Sequence, residues 1–548
     1  MAYTQNHTDS DTMPKLFKDK SFPKSSNYIW KRANEIGTRN GQPPKFIVNG
    51  ATKFDIRQGN IGDCWFLAAV QIVMEDQKLE DIILCTDKMK NGNAGVNSFE
   101  PGEYTGKFIF RFWQFGKWVE VEVDDYLPCN KDEKRKNGEL KLEFVDVSNE
   151  IELLAEEGED SSGGGQRINK SYIEYGEFWP CLLEKAYAKL KGGYENMIGG
   201  HTVESLRDLA GAAGEIIHIK DVPENELLSD EYFENLYNCY KSGCMLTASA
   251  TVESLDKGKN ALIRTGSRPK AQINIVHSHA YTVTAIDFAV NKKFKLICVK
   301  NPWGQVESKG LSWNDDSDLW DKYPEEKNRL KNRKVDDGEF WLLFEHFVKL
   351  FAKVSMTYTT KEFMHVEKLK KVEFVWEKFQ NDKSVVLKKG YSYKDVGSAT
   401  NALERKNCLK FSLNTESDLV ISFVVKYRRL HNLEKENIYS GMTIYKNSQE
   451  KISRQNLVYN SKKANDRENM ARITLPAGDY IVVPWTVEPC LRNYEGYFRT
   501  WKWGRNDLYE GGNEVQIKQP KVIVNRNNQG QEKENSSSSI FNDLCFCC

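Results

Sequence analysis

Six apolar residues, Trp65 to Val70, follow Cys64 without a break, and this all-round hydrophobicity predicts a helix buried in a core. Gly59, Gly62 and Asp63 lead into it: the glycines permit a tight turn or close backbone approach, and Asp63 can cap the helix. Further on the period changes to two. Phe108, Phe110 and Phe112 alternate, Gly116 turns the chain, and Val119, Val121 and Val123 alternate again, predicting a hairpin over 107–124. Ile109 and Trp113 on its other face imply cover on both sides. A helix is expected over 178–191, stopped by Gly192 and Gly193. Between these, residues 130–170 hold charges, an acidic run and Ser-Ser-Gly-Gly-Gly, and are expected to form a flexible surface insertion. A second lobe follows from about Gly200, helical at first and β-rich from about Met245. Alternation over 280–287 and 294–300, with a short polar turn between, predicts another hairpin. From about 354 to 522 short alternating stretches (419–427, 442–446, 472–475, 480–484, 497–503) predict an antiparallel sandwich. Residues 16–54 have little periodicity and read as an irregular segment wrapped on a core.

Length changes the picture first: 548 residues exceed one core, so several domains are expected. The ranges are 1–27, an N-terminal extension; 28–198, a first lobe; 199–353, a second lobe; 354–523, the sandwich; and 524–548, a disordered, Cys-ended tail. Lys+Arg and Asp+Glu are 78 each, so nothing global steers the chain to nucleic acid or an anionic membrane. The polar N-terminus has no signal-peptide core and no stretch reaches 18 apolar residues, so a cytoplasmic location is expected. Twelve cysteines, scattered except for three in the last four residues and without zinc-ligand spacing, read as reduced thiols.

Cys64 carries the first candidate chemistry. A thiol in the first turn of a helix meets orphan amide protons and the positive dipole end, and both favour the thiolate. A buried structural cysteine is the plainer reading, but it needs no glycine-rich turn before it. A thiolate nucleophile needs a base, and the base an orienting group. Among eight histidines, His277 and His279 precede the 280–287 strand. A hairpin centred near Val290 sets Asp287 opposite Lys293 and His279 opposite Asn301. Trp303 would shield an imidazole–amide hydrogen bond. Two surface residues at a hairpin end fit the same spacing.

Gln58-Gly-x-x-Gly-Asp-Cys64-Trp65, His279-Ala280-Tyr281-x-Val283-Thr284 and Asn301-Pro302-Trp303-Gly304 resemble the three catalytic blocks of the calpain family. Leu16-Phe17-x-Asp19-x-x-Phe22-Pro23, Trp30-Lys31-Arg32, Phe112-Trp113-Gln114 through Asp124-Asp125 and Leu182-Leu183-Glu184-Lys185-Ala186-Tyr187 support it. So does Leu475-Pro476-Ala477-Gly478-Asp479-Tyr480 with Pro484, Glu488 and Pro489. The likeness spans about 16–520. It implies an α+β fold, a two-lobed papain-like cysteine protease core followed by an antiparallel β-sandwich. It also implies a calcium-dependent endopeptidase making limited regulatory cleavages in protein substrates. Cys64 would be nucleophile, His279 base and then acid, Asn301 the orienting amide, and Gln58 an oxyanion-hole donor beside the Cys64 N–H. Ala280-Tyr281 marks His279 rather than His277. Ser278 stands where the family has glycine, which puts substrate preference in question.

The resemblance further implies one Ca2+ per lobe. The first site would take Asp55, Glu177 and the carbonyls of Val48 and Gly50. The second would take Glu307, Asp315, Asp337, Glu339 and the carbonyl of Val335. Oxygen-only sets on turns suit a hard cation, though acidic turns are usually just solvated. One extra residue between Glu307 and Asp315 departs from the pattern. Lys53 replaces an arginine that bridges to the second loop, and lysine lacks the bidentate fork. No EF-hand loop matches, so no EF-hand small subunit is expected. Lys426, Arg428 and Arg429 on the sandwich, or lipidated Cys545, Cys547 and Cys548, would give peripheral membrane association. Two other readings stay open: a catalytically inactive calpain-fold scaffold, and a transglutaminase-like acyltransferase, against which Asn301-Pro302-Trp303 argues.

Overall fold

The helix expected after Asp63 runs Cys64–Val73, and every residue in it but Ile72 is buried. The computed structural model describes residues 16–36, 43–48, 50–56, 58–59, 62–90, 96–114, 117–134, 140–142, 148–153, 171–241, 243–250, 275–276, 278–304, 311–332, 337–358, 369–376, 409–425, 440–446, 454–461, 468–486 and 494–503. For 130–153, 171–176, 369–376 and 494–503 it describes backbone alone. The cap differs from expectation. Asp63 sits at φ −108°, ψ 20°, outside the extended region from which a side chain caps, and makes no side-chain capping bond. Its carbonyl accepts from Phe66 N at 2.8 Å and Leu67 N at 3.1 Å.

Phe66 stacks on Tyr187 at 4.3 Å, which locks the cysteine helix to the helix Trp179–Lys191. Pro180 starts that second helix, and Gly192 ends it at φ +88°, a left-handed setting glycine adopts without strain. The hairpin forms as Lys107–Gln114 and Lys117–Asp124, paired from Lys107↔Asp124 to Gln114↔Lys117, which leaves a two-residue connection. Phe108, Phe110 and Phe112 enter the same core as the two helices. Each such ring contributes about 1.5–3 kcal/mol by leaving water.

The segment before this core is largely irregular, as expected, with one strand, Ile29–Arg32, paired to Tyr126–Lys134. Buried charge ties it down. Asp19 N donates to Asp124 Oδ2 at 2.8 Å, Lys189 Nζ lies 2.6 Å from Asp19, and Arg32 joins Asp125 to the Phe17 carbonyl. Lys185 donates to Asp124 and to the Tyr126 carbonyl, and burial pulls its ammonium down to about 8.

The 130–170 insertion needs correction at both ends. Tyr126–Lys134 pairs with Leu140–Leu142, and Ser148–Leu153 pairs with Ser171–Gly176. Ile151 and Leu153 alternate with charged residues, a β period that charge density conceals. Residues 154–170, with most of the acidic run, lie outside the described residues.

The second lobe is one six-stranded antiparallel sheet: Glu339–Leu343, Phe294–Lys300, His279–Ala289, Met245–Ala250, Lys353–Tyr358 and Ala213–His218. Ala213–His218 interrupts the stretch expected to be helical. The cores divide between Ala212 and Ala213, so the helix Thr202–Ala210 packs with the first lobe's side chains.

Beyond it, two four-stranded antiparallel sheets share one core of Leu419, Ile421, Phe423, Met442, Ile444, Ile473 and Val482. The opposite face, with Val420 and Met470, packs into the second lobe. There Arg207 meets Glu468 in a buried ion pair, and Ser422 also donates to Glu468. The tail, including Cys545, Cys547 and Cys548, and the basic cluster Lys426, Arg428 and Arg429 lie outside the described residues. Among the described residues no helix is long and apolar enough to cross a membrane.

Candidate active site

His279 opens its strand and Asn301 follows the end of the next, but not in the expected register. The turn carries three non-glycine residues at positive φ, Val290, Asn291 and Lys292, which lengthens it. A bulge between Val283 and Ala285 shifts the pairing again, so Asp287 faces Leu296, and Thr282 faces Lys300. His279 and Asn301 meet regardless. His279 Nε2 lies 2.7 Å from Asn301 Oδ1, and both residues are fully buried.

The amide orientation follows from its second partner. Asn301 Oδ1 also accepts from Trp303 N at 3.0 Å, so it is the acceptor and His279 Nε2 the donor. That leaves Nδ1 as the nitrogen able to exchange a proton. Asn301 N donates to the Gly338 carbonyl at 2.8 Å, which anchors the block. The half-buried Trp303 ring lies 4.9 Å from the imidazole and Tyr281 meets it edge-on at 5.2 Å, so the pair is screened from water.

Cys64 reaches the same place from the other lobe, in a small cluster with Ala68 and Ala280, the neighbour of His279. Thr282 Oγ1 donates to the Ala68 carbonyl at 2.9 Å and lies 3.0 Å from Gln71 Oε1, fastening the histidine strand to the cysteine helix. Gln58 N donates to the Pro302 carbonyl at 3.1 Å, so the Gln58 turn touches the Asn301 block. Gly199 N bonds the Gly62 carbonyl at 2.8 Å, and Trp65 Nε1 the Met197 carbonyl at 2.8 Å. Cys64 and His279 are both fully buried where the two lobes meet. His277 lies outside the described residues.

The first proposed cation loop is closed by two buried carboxylates. Glu177 Oε1 accepts from Val48 N at 2.6 Å; Asp55 accepts from Thr52 N at 2.7 Å and Oγ1 at 3.0 Å. Gly50 turns the loop at φ +89°. Burial pushes the Asp55 carboxyl up to about 6, against the Thr52 donors, and Glu80 adds like charge. Two buried carboxylates on this turn, with the carbonyls of Val48 and Gly50, fit the oxygen-only chemistry of a hard cation. Glu80, whose Oε1 accepts from Ala51 N at 3.3 Å, had no sequence signal beyond its helix position.

The second set is only partly described: Glu307 and Val335 lie outside the described residues. Asp315 and Glu339 both act on the Cys298 thiol, which burial pushes well above its usual range. Lys53 Nζ reaches Glu339 Oε1 at 2.8 Å, joining the lobes. Burial alone would raise the Glu339 carboxyl, but Lys53 holds it below the usual range. Asp337 Oδ1 accepts from Glu339 N at 2.9 Å and its carbonyl from Lys300 Nζ at 2.7 Å, so ammonium groups already occupy part of this set. Among the described residues no three His, Cys, Asp or Glu side chains converge as a metal centre.

A family model described as "Calpain family cysteine protease" matches residues 8–358, and one described as "Calpain large subunit, domain III" matches 399–498. Calpain-9 of Homo sapiens is 32% identical over 516 residues, covering 87% of this chain and 64% of that protein. Calpain-8 of Rattus norvegicus is 30% identical over 506 residues, covering 86% and 62%. The chain thus spans a little under two thirds of the length of these relatives. Likeness to a solved structure of the bacteriophage PM2 spike protein P1 has a TM-score of 0.14 over 31% of the chain, too slight to carry an argument.

Proposed function

The chain belongs to the calpain family of cysteine proteases, and from that premise we propose that it is a calcium-dependent endopeptidase making limited cleavages in protein substrates. The observation that carries the reading is the buried His279 Nε2–Asn301 Oδ1 bond, 2.7 Å, with Trp303 N fixing the amide. With Nε2 protonated and held, Nδ1 takes the Cys64 proton and the sulfur attacks the peptide carbonyl. His279 then protonates the leaving amine, and the acyl group stays on Cys64. In the second half His279 removes a proton from water, which attacks the thioester and releases the acid. Gln58 and the Cys64 backbone N–H would hold the oxyanion. An amide rather than an acid behind the imidazole favours hydrolysis over the transglutaminase-like alternative.

Calcium on Asp55, Glu177 and the carbonyls of Val48 and Gly50 would supply charge neutralisation to a loop that runs directly into Gln58. The full burial of Cys64 and His279 supports a gate of this kind. The second set, Glu307, Asp315, Asp337, Glu339 and Val335, would act with Lys53 across the lobes.

Hydrolysis of casein by the purified chain, beside Cys64→Ser, tests the reading. Calcium-dependent cleavage lost in Cys64→Ser, and reduced about a hundredfold or more in Asn301→Ala, is expected. No cleavage at any calcium concentration leaves only a calpain-fold scaffold; equal cleavage in chelator removes the calcium gate and keeps the triad.

A further inference from the structure

Phe54 is a large apolar residue left 40% exposed, yet it lies at the seam between the lobes, four positions before Gln58. Across the seam Lys300, the residue before Asn301, is 1% exposed. Its Nζ sits 4.4 Å from the centre of the Phe54 ring, within the range where an ammonium is attracted to an aromatic face. On its other side the same Nζ donates to the Asp337 carbonyl at 2.7 Å. Lys53 Nζ is 5.2 Å from the ring and is already committed to Glu339.

We propose that Phe54 is a positioning residue: its ring receives the buried Lys300 ammonium and forms a second clasp between the lobes beside Lys53–Glu339, holding Asn301 in line with Gln58 and Cys64. An ammonium only 1% exposed needs compensation from the groups packed around it. Asp337 offers Lys300 its carbonyl and Glu339 is shared with Lys53, so the ring face completes the surroundings of Lys300 without a further charge. This also gives the exposed phenylalanine a role, since the ring receives Lys300 while 40% of the residue stays exposed. Phe54 touches neither substrate nor reacting atoms; it acts through Lys300 on Asn301. The kinetic consequence rests on the peptidase reading, whereas the clasp itself does not.

The test is a double-mutant cycle on the full chain with Phe54→Leu, Lys300→Met and both, plus Phe54→Trp and Lys300→Arg as conservative partners. Phe54→Leu is expected to lower kcat about three- to tenfold with KM nearly unchanged. Phe54→Trp and Lys300→Arg should stay within about twofold of the parent, because each keeps a ring under a cation. In the Lys300→Met background, Phe54→Leu should cost nothing further. An unchanged kcat in Phe54→Leu, an equal loss in Phe54→Trp, or the same loss with and without Lys300 overturns the clasp. Should the parent itself cleave nothing, the peptidase reading fails. The clasp is then decided by thermal unfolding: midpoint shifts smaller in the double variant than the sum of the singles support it, and additive shifts overturn it.

Discussion

Ser278 carries a side chain at φ +53°, a setting that costs a non-glycine residue about 1 kcal/mol and a β-branched one more. The sequence showed a departure from the family's glycine; the backbone shows why glycine suits a residue that turns the chain into the His279 strand. Ser278→Gly should lie within about 1 kcal/mol of the parent, relief of strain being offset by unfolded-chain entropy. Ser278→Val should lose about 1–3 kcal/mol and most activity, as His279 shifts. Equal unfolding midpoints for the two would show the backbone unconstrained. His346 gives a pH signature. Burial lowers its imidazole below 6.5, only partly offset by Glu345, and its Nδ1 has no hydrogen-bond partner among the described residues. The unfolded chain therefore takes up a proton near pH 6.5 that the native state refuses. Its contribution to stability is present above 6.5 and is lost as pH falls through the lowered native value. Urea unfolding between pH 5 and 8 should show a flatter acid limb in His346→Gln, and an unchanged limb would exclude His346 as the cause.

At the scale of elements, the cysteine helix is placed by a glycine the sequence marks only as the approximate start of the second lobe. A Cβ on Gly200 would fall 2.4 Å from ring atoms of Trp65, whose Nε1 is held on the Met197 carbonyl. The ring cannot retreat without moving the residue next to Cys64. Gly200→Ala should cost about 1–3 kcal/mol and reduce kcat more than KM; full activity with an unchanged melting point would mean the helix tolerates the shift. The hairpin is the opposite case. Both strands were legible from alternation, but the register was not: positive-φ turn residues and the bulge after Val283 are local choices that period-two patterning leaves open. His279 and Asn301 were matched through family motifs more securely than through pairing arithmetic.

At the scale of the whole molecule, Arg207 and Glu468 join the helix Thr202–Ala210 to the sandwich, both almost fully buried. Removing one partner strands the other charge in the interior. Arg207→Met should therefore cost about 3–5 kcal/mol, and adding Glu468→Leu should recover most of it. Denaturant unfolding checks this, and a double variant as unstable as the two losses summed would show no coupling. Residues 261 positions apart cannot be matched from charge alone in a chain with 78 residues of each sign. The same applies to Lys53–Glu339 and Phe54–Lys300: the first was suggested by family position, the second by nothing in the sequence.

By itself the sequence determined the glycine-rich turn before Cys64, the buried helix, the two hairpins and five of the sandwich strands, and it singled out Cys64, His279 and Asn301 as candidates, because periodicity and short motifs are local properties. The strands Leu369–Trp376, Leu409–Leu413 and Leu457–Asn460 it did not mark. Only the tertiary structure decided the register that still lets His279 meet Asn301. It also decided which lobe holds the helix Thr202–Ala210, and which charges pair across the seams. Those outcomes depend on burial, which sets the cost of an unpaired charge or a misplaced ring, and burial exists only once the lobes and the sandwich have closed on one another.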